Sequence, residues 1–199
     1  MAISKNELEQ MALDFRHDAG VSDDLAPFDP LHLEIDGIEI LAIDDINGLD
    51  PKMVVHLKGD GSQYWSAMTV PCDQNQDRWA IVLNREHDLK RQRPSLMEEL
   101  WHILLGHKLT KITKIGAQYG RTFDSDNEHD AYYAGAATLL PYPAIKAFVD
   151  DSNRDIVVFA ERYGVSRELV EYRIKRLGFW RRYMGHGVKL RQTNSDAVR

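Results

Sequence analysis

Two adjacent carboxylates and an imidazole stand inside one apolar run, Leu96-Met-Glu-Glu-Leu-Trp-His-Ile-Leu-Leu-Gly-His107. On an α-helix, residues four apart stack on one face, so Glu98 and His102 reach toward a common point while Glu99 turns to the adjoining face. This is the geometry of His-Glu-x-x-His helices. There, two His four apart hold zinc and the Glu after the first acts as general base. Here the first His is replaced by Glu98. Leu96, Met97, Leu100, Ile103, Leu104 and Leu105 surround the acids, which predicts burial for much of the run. Buried carboxylates require a cation or a hydrogen-bond network. Glu99-x-x-His102 also matches half of a di-iron bundle motif, but no second Glu-x-x-His occurs in the chain. A purely structural reading remains, in which Glu98 and Glu99 are acids favoured near a helix N-terminus by the macrodipole.

The elements that must position this run follow from patterning. Ser4 to Asp18 has helical spacing at Leu8, Met11, Ala12 and Phe15, with Ser4 as N-cap and Gly20 past the end. Gly37 to Ile43 reads as a strand, as do Lys52 to Leu57, Gln63 to Val70 and Trp79 to Asn84, giving a small, mostly antiparallel sheet. Pro94 suits a first helical turn, so the motif helix is expected to start near Ser95 and to end at Gly106 and His107. Lys108 to Phe123 reads as a loop with one irregular strand, and Asp124 to Asn127 as a capping cluster. Glu128 to Leu140 follows as a helix stopped by Pro141 and Pro143, then a short helix at Ile145 to Val149. Ile156 to Gly164 and Ser166 to Leu177 form two helices around a Gly-containing turn, the helix-turn-helix pattern. Residues 192–199 read as a disordered tail.

At 199 residues the chain can bury a real core. It opens without an apolar leader, and no apolar run approaches the ~20 residues of a membrane span, so a cytoplasmic protein is expected. The single cysteine, Cys72, excludes an intrachain disulfide and a thiolate zinc site. The net charge of -6 is unevenly spread. Residues 154–191 carry 10 Lys and Arg against 4 Asp and Glu, whereas residues 1–153 carry 14 against 26. Such a basic segment suits nucleic acid, an acidic partner, or the acidic body of its own chain.

Three elements in order carry a resemblance: Ile81-Val-Leu-Asn with Arg91 and Arg93 leading into Glu98-Glu-Leu-Trp-His-Ile-Leu-Leu-Gly-His107; Glu128-His-Asp-Ala-Tyr-Tyr-Ala-Gly-Ala-Ala-Thr-Leu-Leu-Pro141; and Phe159 to Gly178. Together they resemble the ImmA/IrrE family of zinc metallopeptidases over roughly residues 81–178. The resemblance implies Glu99 as general base, with Glu98, His102 and Glu128 as the metal ligands. Tyr132 occupies a position where the family usually has an Asp or Asn that orients the first ligand His. Glu98 and Tyr132 therefore depart together, and a hydrogen bond between the Tyr132 hydroxyl and the Glu98 carboxylate, direct or through one water, is expected. His107 and His129 are expected behind the ligands or at the surface, with His129 a substitute ligand if its helix is rotated. Arg91 and Arg93 are read as solvating the approach to the helix.

Two carboxylates and one imidazole withdraw less charge from a bound water than two imidazoles and one carboxylate, so hydrolysis at neutral pH should be weaker. Harder ligands also shift preference from Zn toward Mn or Fe. The expected fold is α+β: a small, mostly antiparallel sheet on zincin-like helices over residues 1–150, then a helix-turn-helix-like module at 151–191. The expected function is an intracellular metal-dependent endopeptidase acting on a protein substrate such as a helix-turn-helix repressor. The rival is a non-catalytic regulator that keeps the fold, with or without a bound metal, and binds a protein partner or DNA. Arg167, Arg173, Lys175 and Arg176 are scattered around their helix with no Asn or Gln beside them, so any DNA contact should be sequence-blind.

Overall fold

The computed structural model describes residues 3–72, 78–107, 112–115, 118–121 and 125–186. The first helix, α1 (Lys5–Asp18), is closed by a capping box: Ser4 accepts from the Glu7 backbone N–H, and Glu7 accepts from that of Ser4. Strand β1 (Ile38–Leu41) follows. Lys52 to Leu57, expected as a strand, is instead helical in α2 (Pro51–Lys58). Asp50 caps it by accepting from the Lys52 N–H, and Pro51 presets the first helical φ. These two residues outweigh the β-branched Val54 and Val55. None of the helix is buried, so no apolar stripe marks it in the sequence.

Strands β2 (Ala67–Pro71) and β3 (Trp79–Leu83) complete a three-stranded sheet in the order β1-β3-β2. The Gln63 to Val70 strand is shortened at its start, because Ser62–Tyr64 form a 3-10 turn. The sheet is mixed rather than mostly antiparallel. β2 pairs antiparallel with β3, placing Thr69 opposite Ile81, whereas β1 pairs with β3 in parallel. Central strand β3 buries Ala80 to Leu83 without alternation, as expected for a strand covered on both faces.

The motif helix, α3 (Leu89–Leu104), begins six residues before Ser95. Asp88 caps it by accepting from the Arg91 N–H at 3.0 Å. Pro94 therefore lies inside the helix and removes one backbone bond. Side-chain anchors hold this first stretch: Arg91 donates to Ser66 Oγ, Gln92 to the Arg85 carbonyl, and Arg93 to both oxygens of Asp29 and to the Gly164 carbonyl. Arg93 is thus a structural tether and not merely a solvating group. In the Lys108 to Phe123 stretch, β4 (Ile112–Ile115) and β5 (Gln118–Arg121) form an antiparallel pair where one irregular strand was expected.

Helix α4 (Ser125–Leu139) runs to within two residues of Pro141 and packs on α3 and α1. Ser125, Asp126 and Asn127, expected to cap this helix, instead form its first turn, and Asp124 lies outside the described residues. Next come α5 (Tyr142–Asp150), α6 (Ile156–Tyr163), α7 (Arg167–Arg176) and α8 (Trp180–Tyr183). Gly164 ends α6 in the left-handed conformation at φ 62°, and Ser166 caps α7 by accepting from the Leu169 N–H. Val157, in the first turn of α6, is 56% exposed. Ala160, Val165, Leu169, Val170 and Ile174 are buried in the same apolar cluster as Leu8, Ile81, Leu96, Leu100 and Ala134. The expected tail at 192–199 lies outside the described residues.

Candidate metal centre

Helix crossing sets the site. Gly135 of α4 lies against the backbone of α3, where a Cβ would come within 3.1 Å of the Met97 carbonyl carbon and 3.2 Å of the Glu98 nitrogen. The small residues Ala134, Gly135, Ala136 and Ala137, all buried, let the two helices approach at the level of Glu98. Glu128 lies seven residues before Gly135, two turns back on the same face of α4. On α3, Glu98 and His102 share the face one turn apart.

Each of Glu98, His102 and Glu128 offers a ligand atom, and the three atoms lie within 4.8 Å of one another. His102 Nε2 is 3.5 Å from Glu128 Oε2. Two ligands on a tetrahedral ion with bonds of about 2.0–2.1 Å are about 3.3 Å apart, so this spacing suits one shared cation. Electrostatics agree. Burial, followed by the nearby charges of Glu99 and Glu128, pushes the Glu98 carboxyl up to about 7. Three carboxylates crowd one imidazole, an arrangement that a divalent cation neutralises.

His102 is oriented from behind. Its Nδ1 is 3.0 Å from His107 Nδ1, with the rings edge to face. With Nε2 turned to the carboxylates, a proton on His102 Nδ1 donates to His107 and leaves on Nε2 the lone pair that a cation would take. His107, expected behind the ligands or at the surface, stands beside the His102 ring. Its position follows from the turn at Gly106, whose φ of 64° swings His107 back toward the helix end.

Glu99, next to Glu98 on α3, is tied to the sheet. Thr69 Oγ1 on β2 donates to Glu99 Oε2 at 2.7 Å and lies 3.4 Å from the Glu99 carbonyl oxygen. Nothing in the sequence singles out Thr69, because the contact depends on how the sheet edge meets the helix. The hydrogen bond occupies one carboxylate oxygen.

Tyr132 stands near Glu98 without a hydrogen bond to it among the described residues. Its ring packs edge-on against Tyr172, centroids 5.0 Å apart. Burial, then the neighbouring Tyr172 and Glu98, hold its hydroxyl above the ordinary phenol value. Of the two forms expected, the direct bond between Tyr132 and Glu98 is absent among the described residues, and the ring packs on an aromatic partner on α7. His129 is exposed and lies 3.3 Å from Arg176 Nη2 through its Nδ1. It takes no place in the three-ligand cluster. Trp101 and Tyr133 are buried, and both face away from the cluster: the Trp101 indole N–H donates to Thr138 Oγ1, and the Tyr133 hydroxyl to Glu9.

No curated protein matches the sequence. The IrrE N-terminal-like domain, peptidase M78, matches residues 54–175, which contain Thr69, Glu98, Glu99, His102 and Glu128. That span is more than half of the chain, and the chain belongs to the peptidase M78 family.

Proposed function

We propose that the protein is an intracellular, metal-dependent endopeptidase of ImmA/IrrE type that cleaves a transcriptional repressor, with Zn, Mn or Fe held by Glu98, His102 and Glu128. The observation that carries this reading is the convergence of those three ligand atoms from two helices, with a third acid, Glu99, beside them that is tied to the sheet. A cation held there would polarise a peptide carbonyl and make a water more acidic. The chain's own residues do the rest. Glu99 Oε1, not engaged by Thr69, takes the proton of the attacking water and delivers it to the leaving amine. The His107 contact keeps the His102 ring in its working orientation.

The test measures Zn, Mn and Fe content together with cleavage of a helix-turn-helix repressor encoded beside this gene, for wild type and Glu99→Gln. One bound cation is expected in both proteins. Cleavage should fall on the order of 10²–10⁴-fold in Glu99→Gln. Full activity in that variant, or no cation in the wild type, rejects the reading.

A non-catalytic regulator is the second reading, and Glu98 favours it. No donor among the described residues reaches this carboxylate, and two carboxylates with one imidazole would acidify a bound water less than two imidazoles with one carboxylate. Bound cation without cleavage of any neighbouring repressor supports that alternative.

A further inference from the structure

We propose that Thr69 is a positioning residue that keeps Glu99 out of the cation's ligand set, so that its free oxygen remains available for proton transfer. The inference rests on the metallopeptidase reading and specifies how its base is kept distinct from its ligands. Glu99 follows Glu98 directly in α3 and shares its carboxylate chemistry. Three rotatable bonds give such a side chain enough reach to join a cation one helical position away. As a fourth protein ligand it would close the open position that distinguishes catalytic from structural sites.

The structure places a restraint against that swing. Thr69 Oγ1 donates to Glu99 Oε2 at 2.7 Å, a short bond to a charged acceptor, and charge-assisted bonds of this kind are roughly twice as strong as neutral ones. The hydroxyl also lies 3.4 Å from the Glu99 carbonyl oxygen, so Thr69 sits against the base of that side chain as well as its end. Its own position is fixed. Thr69 pairs with Ile81 of the buried central strand, and a β-branched side chain in a strand has little χ1 freedom. The three-ligand cluster accordingly forms without Glu99.

The experiment titrates Co²⁺ into the cation-free full-length protein for wild type, Thr69→Val and Thr69→Ser, recording affinity and visible absorption. Repressor cleavage is measured in parallel, and thermal melting verifies folding. Valine keeps the shape and strand preference and removes only the donor. In Thr69→Val, Glu99 is released to the cation. Co²⁺ should then bind about tenfold more tightly, its visible absorption should weaken as coordination number rises, and kcat should fall about 10–100-fold with KM little changed. Thr69→Ser, which retains the hydroxyl, should remain close to wild type in all three. A merely structural role for Thr69 predicts looser Co²⁺ binding in the valine variant, the opposite sign. Unchanged or weaker binding in Thr69→Val overturns the proposal. Failure of the wild type to bind Co²⁺ overturns it together with the metallopeptidase reading. The predicted Co²⁺ response with no cleavage by any variant rejects the peptidase reading alone and supports the role of Thr69 in setting the ligand set.

Discussion

Glu98 is held at an electrostatic cost that the protein bears whenever no cation is bound. Its carboxyl titrates near 7 in the folded protein against an ordinary value of 4.5, because burial and two neighbouring carboxylates disfavour the charge. Below about pH 4.5 the group is protonated in both the folded and unfolded states and costs nothing. Between 4.5 and 7 the unfolded chain ionises while the folded protein keeps the proton, so stability falls as pH rises through this window and then levels. The chelated wild type should therefore lose on the order of 2–3 kcal/mol relative to Glu98→Gln between pH 4.5 and 8. Urea melts of both proteins across that range measure the difference, and parallel profiles would show that Glu98 is not destabilised by its surroundings. A divalent cation should reverse the sign: it holds Glu98 ionised, stabilises the wild type more than the variant, and releases a proton on binding below pH 7.

At the scale of elements, the site depends on how closely α3 and α4 cross. Gly135 permits that approach, since a Cβ there meets backbone atoms of Met97 and Glu98 at 3.1–3.2 Å and not the end of a flexible side chain. Gly135→Ala should gain a little helix propensity yet destabilise the protein by about 1–3 kcal/mol, because the helices must separate by a few tenths of an ångström. The same separation moves Glu128 relative to His102, so cation affinity should drop along with stability. Denaturation and Co²⁺ titration of the one variant test both effects. Wild-type stability would mean that the crossing has slack to accept a methyl group.

Across the whole molecule, the basic C-terminal segment is tied to the acidic body by a buried ion pair. Arg173 of α7 is fully buried and reaches both oxygens of Glu9 in α1 at 2.8 Å, while its Nε donates to the Leu140 carbonyl at the end of α4. The Tyr133 hydroxyl donates to the same Glu9 at 2.6 Å and, buried there, is pushed up to about 12. Removing Glu9 leaves a buried guanidinium without its counter-charge, so Glu9→Ala should cost about 3–5 kcal/mol. Arg173→Met should cost less, since Glu9 keeps the Tyr133 donor and some solvent contact. Urea denaturation of the two single variants and the double variant reads this asymmetry as a thermodynamic cycle. Elsewhere in the segment Arg182 pairs with Asp150, Arg167 and Lys175 with Glu171, and Glu161 with Lys90. With so many of its charges engaged internally, DNA binding should be weak, strongly salt-dependent and indifferent to sequence. A mobility shift at physiological salt with specific and scrambled competitors tests this.

What the sequence determined by itself was chiefly local. Ser4, Gly164 and Ser166 announce their helix boundaries because caps and left-handed turns are settled within a few residues of chain. Glu98 and His102 share a face because helical period alone dictates it. The strands at Ile38 and Trp79 were legible from their apolar β-branched runs, but their parallel pairing was not, since a crossover joins segments some forty residues apart. Segment 52–57 was misread because Asp50 and Pro51 override the propensity of Val54 and Val55 in a helix that buries nothing. Tertiary structure alone decided that Tyr132 turns to Tyr172 and away from bonding Glu98, and that His129 faces Arg176 instead of the ligands. It alone brought Thr69 to Glu99 across 30 residues and Arg173 to Glu9 across 164. Periodicity fixes which side of an element a residue occupies, whereas a hydrogen bond of 2.7 Å depends on how two elements are translated and rotated against each other. That placement is set by packing over the whole core.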